Sequence, residues 1–231
     1  MKINKVVKEL QAHFKQHENL ADAKIMKRYI RNQFEFYGLK KPRIKALAKE
    51  FWASREVPTE EELELLVFAL WKTTHRELHH HALDLLYARI KKLSKSWIKV
   101  FEKLVVLNSW WDTVGYLAPR LIGTFMQRFP ELQKSYPQKW IASDNIWLQR
   151  TAIIFQLKYR EATDTDLLLE NIEKTASSKE FFIQKGSGWA LREYSKTDAK
   201  LVQKFVKKHE ASLSNFTKRE ALKWLKNRKK A

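Results

Sequence analysis

A chain of 231 residues with 45 Lys and Arg against 26 Asp and Glu, a formal net charge of +19, is more basic than solubility requires; self-repulsion on that scale calls for a polyanionic partner, nucleic acid foremost and an anionic membrane surface as the weaker alternative. With 5 Gly and 5 Pro it is too poor in turn formers for a sandwich or barrel, and its lack of Cys excludes disulfides and thiolate chemistry. At 44% hydrophobic content it can bury a core, no apolar run approaches a membrane span, and the charged start Met1-Lys2-Ile3-Asn4-Lys5 is unlike a secretory signal, so the expected setting is the cytoplasm.

The N-terminal stretch reads as an amphipathic helix with charges throughout. Proline stops are expected at Gly38-Leu39-Lys40-Lys41-Pro42, Val57-Pro58, Phe129-Pro130 and Tyr136-Pro137. Thr59 with Glu62, Ser177 with Glu180 and Thr217 with Glu220 have the spacing of capping boxes, and longer helices are expected to open at Ser109, Ser143 and Ser177. In His75-Arg76-Glu77-Leu78-His79-His80-His81, His75 and His79 share a helix face, but the zinc-protease pattern needs Glu where Arg76 stands, so no metal is expected. Gly186-Ser187-Gly188 has no phosphate-loop context, and close helix packing is its simpler meaning. The tail Lys223, Lys226, Arg228, Lys229 and Lys230 adds phosphate attraction or forms a solvated face.

A frame of about 35 residues organises these elements. Ala82, Leu117, Ala152, Ser187 and Ala221 recur in it, and two residues before them stand His80, Gly115, Arg150, Lys185 and Arg219, a basic column interrupted by glycine. The expected architecture is therefore all-α, a HEAT-like helical repeat superhelix (α-solenoid) with a concave basic groove, as one domain over 1–231. Residues four apart share a helix face, pairing Trp111 with Gly115, Ile146 with Arg150 and Lys185 with Trp189. Trp111, Arg150, Lys185 and Trp189 are expected to face one groove, because cationic or missing side chains stand where a buried face would want Leu or Ile; the alternative is that both tryptophans are core. Arg192 and Arg219 join Arg150 and Lys185 as expected DNA contacts.

The stretches Arg28-Tyr29-Ile30-Arg31-Asn32-Gln33-Phe34, Ser109-Trp110-Trp111-Asp112-Thr113-Val114, Trp140 through Arg150, and Lys179-Glu180-Phe181-Phe182-Ile183-Gln184-Lys185 followed by Gly188-Trp189-Ala190-Leu191-Arg192-Glu193-Tyr194 resemble the bacterial AlkD family of alkylpurine DNA glycosylases. The resemblance spans essentially the whole chain. It implies HEAT-like repeats and hydrolysis of the glycosidic bond of N3- and N7-alkylated purines, without metal or cofactor and without extruding the base. It further implies that Tyr29, Trp111 and Trp189 contact the lesion-bearing deoxyribose and that Arg150 holds the adjacent phosphate. Where the family pattern has an aspartate four residues after the second Trp of the pair, this chain has Gly115.

Without that carboxylate, DNA binding should survive and catalysis should be weak; Gly115 could alternatively serve close helix approach. The expected partner is duplex DNA with alkylated bases, met by a monomer. Two rival readings are a non-catalytic HEAT-repeat protein for damaged or branched DNA, and a protein-interaction scaffold.

Overall fold

The computed structural model describes residues 2–228. The fold is all-α: these residues are helices and connecting turns, with an isolated bridge between Glu35 and His75. They fall into two compact units, 1–93 and 94–231.

The first unit contains α1 (Ile3–Lys15), α2 (Leu20–Tyr29), α3 (Lys41–Trp52), α4 (Glu60–Trp71) and α5 (Arg76–Arg89). Val6, Val7, Leu10 and Phe14 recur at helical spacing and bury one face of α1, while α2 has no buried residue. Thr59 and Glu62 form the expected capping box at the start of α4. The stop expected at Gly38–Pro42 is instead an entrance: α2 has ended at Tyr29, and Pro42 occupies the first turn of α3, where its missing N–H is not needed. Gly38 takes a φ of 82°, and a Cβ there would lie 2.1 Å from the Asn19 carbonyl oxygen. The buried Glu77 carboxylate accepts the Gly38 and Leu39 N–H groups at 2.9 and 3.1 Å, fixing this passage.

The second unit contains α6 (Trp97–Val106), α7 (Trp111–Tyr116), a π-helical stretch (Leu117–Ile122), α8 (Gly123–Arg128), α9 (Leu132–Ile141), α10 (Ile146–Ile154), a short 3-10 turn (Arg160–Ala162), α11 (Thr165–Lys174), α12 (Phe181–Tyr194), α13 (Ala199–Lys208), α14 (Asn215–Ala221) and α15 (Lys223–Arg228). Lys229 and Lys230 of the basic tail lie outside the described residues. Pro119 explains the π-helical stretch. It cannot donate to the carbonyl of Gly115, and its ring would crowd that oxygen, so the turn widens instead of breaking. Pro137, expected to stop a helix, lies inside α9, whose far end is held by the buried Trp140 and Ile141.

The repeat frame has a physical basis. Ala82, Leu117, Ala152, Ser187 and Ala221 are all buried. Ala82, Ala152, Ser187 and Ala221 lie in helices that begin at Arg76, Ile146, Phe181 and Asn215, and Leu117 opens the π-helical stretch that continues the helix begun at Trp111, all in the same register. The small markers Ala152, Ser187 and Ala221 suit the close packing of α10 on α12 and α12 on α14 in the second unit; in the first unit α1 packs on α3 and α3 on α5. The expected openings at Ser109, Ser143 and Ser177 lie two to four residues too early. Asn145 caps α10 by accepting from the Trp147 and Leu148 N–H groups, and Ser214 caps α14. Trp110 and Glu180 precede α7 and α12 without any side-chain cap, so Ser177–Glu180 is no capping box; nor is Thr217–Glu220, because both residues lie inside α14.

Candidate nucleic-acid interface

In the second unit, α7 and α12 bring Gly115 and Trp189 together. A Cβ at Gly115 would lie 3.8 Å from Cζ3 of Trp189, an ordinary contact, and meets nothing nearer. Close helix approach therefore does not account for this glycine. Trp111 stands one turn earlier on α7, and both indoles are half-buried, whereas Trp71, Trp97 and Trp140 fill the core.

The next two helices of the frame supply cations. Arg150 on α10 is buried beneath α12, its Nη1 donating to the Phe182 carbonyl at 2.6 Å while Nε meets no acceptor. Burial pulls its guanidinium down to about 10, which still leaves it charged at neutral pH. It lies across Gly186, where a Cβ would come within 3.1 Å of Nη1. Lys185 donates to Glu220 at 3.1 Å, and Arg192 pairs with the same carboxylate. Partial burial lowers the Lys185 ammonium below its ordinary value, with the nearby Arg192 and Arg150 charges adding to the effect. Gly188 lies between these two cations, and a Cβ there would meet Glu220 Cβ at 2.7 Å. The Gly186-Ser187-Gly188 segment is thus a close-packing device, as expected.

Arg219 is exposed on α14 with its guanidinium 5.6 Å from the Phe216 ring centre. His80 is half-buried on α5, and Tyr29, 71% exposed on α2, belongs with it to the first unit. Their α-helical neighbours include polar groups directed inward. His79 lies between the Arg76 guanidinium and the Thr73 carbonyl, His75 stacks on Tyr37 at 3.9 Å, and His81 accepts from the Trp52 indole. These nitrogens and rings serve packing, and among the described residues no group of three His, Cys, Asp or Glu is arranged to hold a metal ion.

A row of aromatic rings at the helix starts was not legible as such. Trp110 lies 5.8 Å from Trp147 and 5.2 Å from Phe182, and Phe181 continues the row to Phe216 at 5.3 Å. Lys185 sits 5.5 Å above Phe216, and Arg150 6.0 Å from Phe182. Trp147, Phe182 and Phe216 occupy the second position of α10, α12 and α14, so the repeat frame itself carried the signal. The row, the half-buried indoles and the clustered cations make a surface suited to sugar faces and phosphates.

Residues 10–225 match the family model described as DNA alkylation repair enzyme. Among solved structures, the chain is similar to one described as a predicted DNA alkylation repair enzyme from Enterococcus faecalis, with 31% identity and a TM-score of 0.83 over 90% of this chain and 96% of that one. No curated protein matches.

Proposed function

The chain belongs to the DNA alkylation repair enzyme family, and on that footing we propose that it hydrolyses the N-glycosidic bond of N3- and N7-alkylated purines in duplex DNA, slowly, because Gly115 stands where the resemblance implies a carboxylate. Alkylation on a ring nitrogen makes the purine a cationic leaving group that departs without being protonated. The protein's task is then to stabilise the positive charge developing on the sugar. In this reading the faces of Trp111 and Trp189 lie against the deoxyribose, and Tyr29 offers a further aromatic contact. Arg150, Lys185, Arg192 and Arg219 hold phosphates, acting as a monomer on duplex DNA without drawing the base out of the stack.

The observation that carries the reading is the open position beside Trp189. A Cβ at residue 115 makes one ordinary contact at 3.8 Å, so the backbone there has room for a side chain to start beside the indole, as an aspartate would. Gly115→Asp should raise the release of methylated purine from alkylated duplex by about 10²- to 10³-fold, the usual worth of one positioned electrostatic group. Chromatographic measurement of released base decides this, and no release by either form would remove the glycosylase assignment.

The same glycine favours a second reading, a non-catalytic protein that holds damaged or branched DNA. It predicts salt-dependent binding with no product from Gly115→Asp.

A further inference from the structure

We infer that Glu220 is a positioning residue, a buried counter-charge that fixes Lys185 and Arg192 on either side of Trp189 so that they meet DNA phosphates as one rigid pair; the inference rests on the DNA-binding reading above. Lys185, Gly188, Trp189 and Arg192 lie at helical spacings that put them along one side of α12. Glu220 reaches that side from α14, which packs extensively on α12. It can do so because Gly188 has no side chain: the Cβ and Cγ of Glu220 occupy the space that a Cβ at 188 would need, at 2.7 and 3.0 Å. From this notch the carboxylate takes Lys185 Nζ at 3.1 Å on one side and the Arg192 guanidinium on the other.

The charges do not balance. Three cations, Lys185, Arg192 and Arg150, stand close enough that the two arginines add to the effect of burial in lowering the Lys185 ammonium, while Glu220 is the carboxylate seated between Lys185 and Arg192. Its side chain is 9% exposed, against 39% for Lys185 and 26% for Arg192, so the acid faces inward and the cations keep an accessible edge. Two long flexible side chains are thereby ordered before any phosphate arrives, which removes part of the ordering cost of binding.

This assignment has a sign that distinguishes it from a plain charge effect. Removing a negative charge near phosphates should tighten binding by about twofold if only Coulomb attraction matters. Removing a positioning group should loosen it.

The test is fluorescence anisotropy with a short duplex carrying a tetrahydrofuran abasic site, over a series of salt concentrations. Wild type, Glu220→Gln, Glu220→Asp, Lys185→Ala and the Lys185→Ala/Glu220→Gln pair are compared, with Glu180→Gln as an exposed acidic control. Both Glu220 variants should bind about fivefold more weakly, the aspartate despite keeping its charge, because its shorter stem cannot reach both cations. The dependence of log affinity on log salt should become shallower by about one unit as a phosphate contact is lost. Losses in the double variant should fall well short of the sum of the single losses. Thermal unfolding identifies any variant that does not fold, and Glu220→Asp, which keeps the buried charge, then carries the comparison.

Binding by Glu220→Gln or Glu220→Asp as tight as wild type, or fully additive losses, would overturn the positioning role. Failure of the wild type to bind duplex would instead sink the DNA-binding reading itself.

Discussion

Arg76 in the first unit and Arg150 in the second are both buried arginines on helices of the same repeat frame, yet their surroundings differ. Arg76 donates from Nη1 to His79 at 2.8 Å and stacks 3.8 Å above Phe34. Around it polar groups pair locally: His79 donates its Nε2–H to the Thr73 carbonyl, Lys41 meets Asp84, and Lys27 meets Glu35. Arg150 gives one nitrogen to a carbonyl and leaves Nε without an acceptor, while Lys185 and Arg192 share one carboxylate. The comparison separates two uses of buried charge in one architecture. One completes a core; the other leaves a buried guanidinium incompletely paired beneath α12, next to Lys185 and Arg192, the proposed phosphate contacts.

The largest effect that would sharpen this contrast lies in the first unit. His81 is wholly buried, and burial holds its imidazole down to about 4 from 6.5. Between those values the unfolded chain takes up a proton that the folded chain refuses. Stability should therefore fall as pH drops through that window, by up to about 3 kcal/mol. Urea unfolding from pH 7 to 4.5 measures it. Glu and Asp titrations underlie both curves, so the comparison is with His81→Gln, which keeps an acceptor for the Trp52 N–H but cannot titrate. Identical pH dependence in the two proteins would show that His81 contributes none of it.

A smaller effect separates the two arginines directly. Arg76→Met leaves a buried His79 nitrogen unanswered and should cost about 2 kcal/mol of stability with duplex affinity unchanged. Arg150→Met removes a group that is itself incompletely paired. It should cost less stability and weaken duplex binding by about tenfold, the worth of one charge-assisted contact. Matching losses of stability with no change in affinity would make both arginines purely structural.

Smallest is Gly186→Ala. Its Cβ would come within 3.1 Å of Arg150 Nη1 and must push the guanidinium aside. Alanine gains about 1 kcal/mol in helix propensity, so thermal stability should hold or rise while affinity for the duplex falls a few-fold. Unchanged affinity would mean that the lie of Arg150 across α12 has no bearing on DNA.

What the sequence revealed and concealed follows from the range of each interaction. The repeat frame was legible because its marker is a buried contact position, and burial restricts residue type wherever it recurs: Ala82, Ala152 and Ala221 are small for the same reason. Helix starts were misplaced because Ser109, Ser143 and Ser177 look like caps locally, while Asn145 does the capping for α10, and α7 and α12 begin without a side-chain cap. Pro119 was missed for a related reason. A proline ordinarily ends a helix, and the widened turn that carries the chain past it depends on tertiary support from Leu117, Leu121 and Ile122, all fully buried. Of the candidate site, Trp111, Gly115, Arg150, Lys185 and Trp189 could be grouped from periodicity. The proposed role of Glu220 could not, since its partners Lys185 and Arg192 lie far off in sequence on another helix, Lys185 by 35 residues, and its spacing from Thr217 imitates a capping box.

The five glycines also rank themselves by how tightly the scaffold holds them. At 38, 123 and 188 a methyl group would run into backbone or side-chain atoms at 2.1, 2.3 and 2.7 Å, and at 186 it would press on Arg150 at 3.1 Å, whereas at 115 it has 3.8 Å of room. Architecture therefore dictates three of these residues, holds Gly186 only against a movable guanidinium, and is indifferent to the fifth. The residue at position 115 can be exchanged by single substitutions without its Cβ forcing the helices to rearrange, so descendants of one ancestral scaffold can diverge at that point while their shapes stay the same.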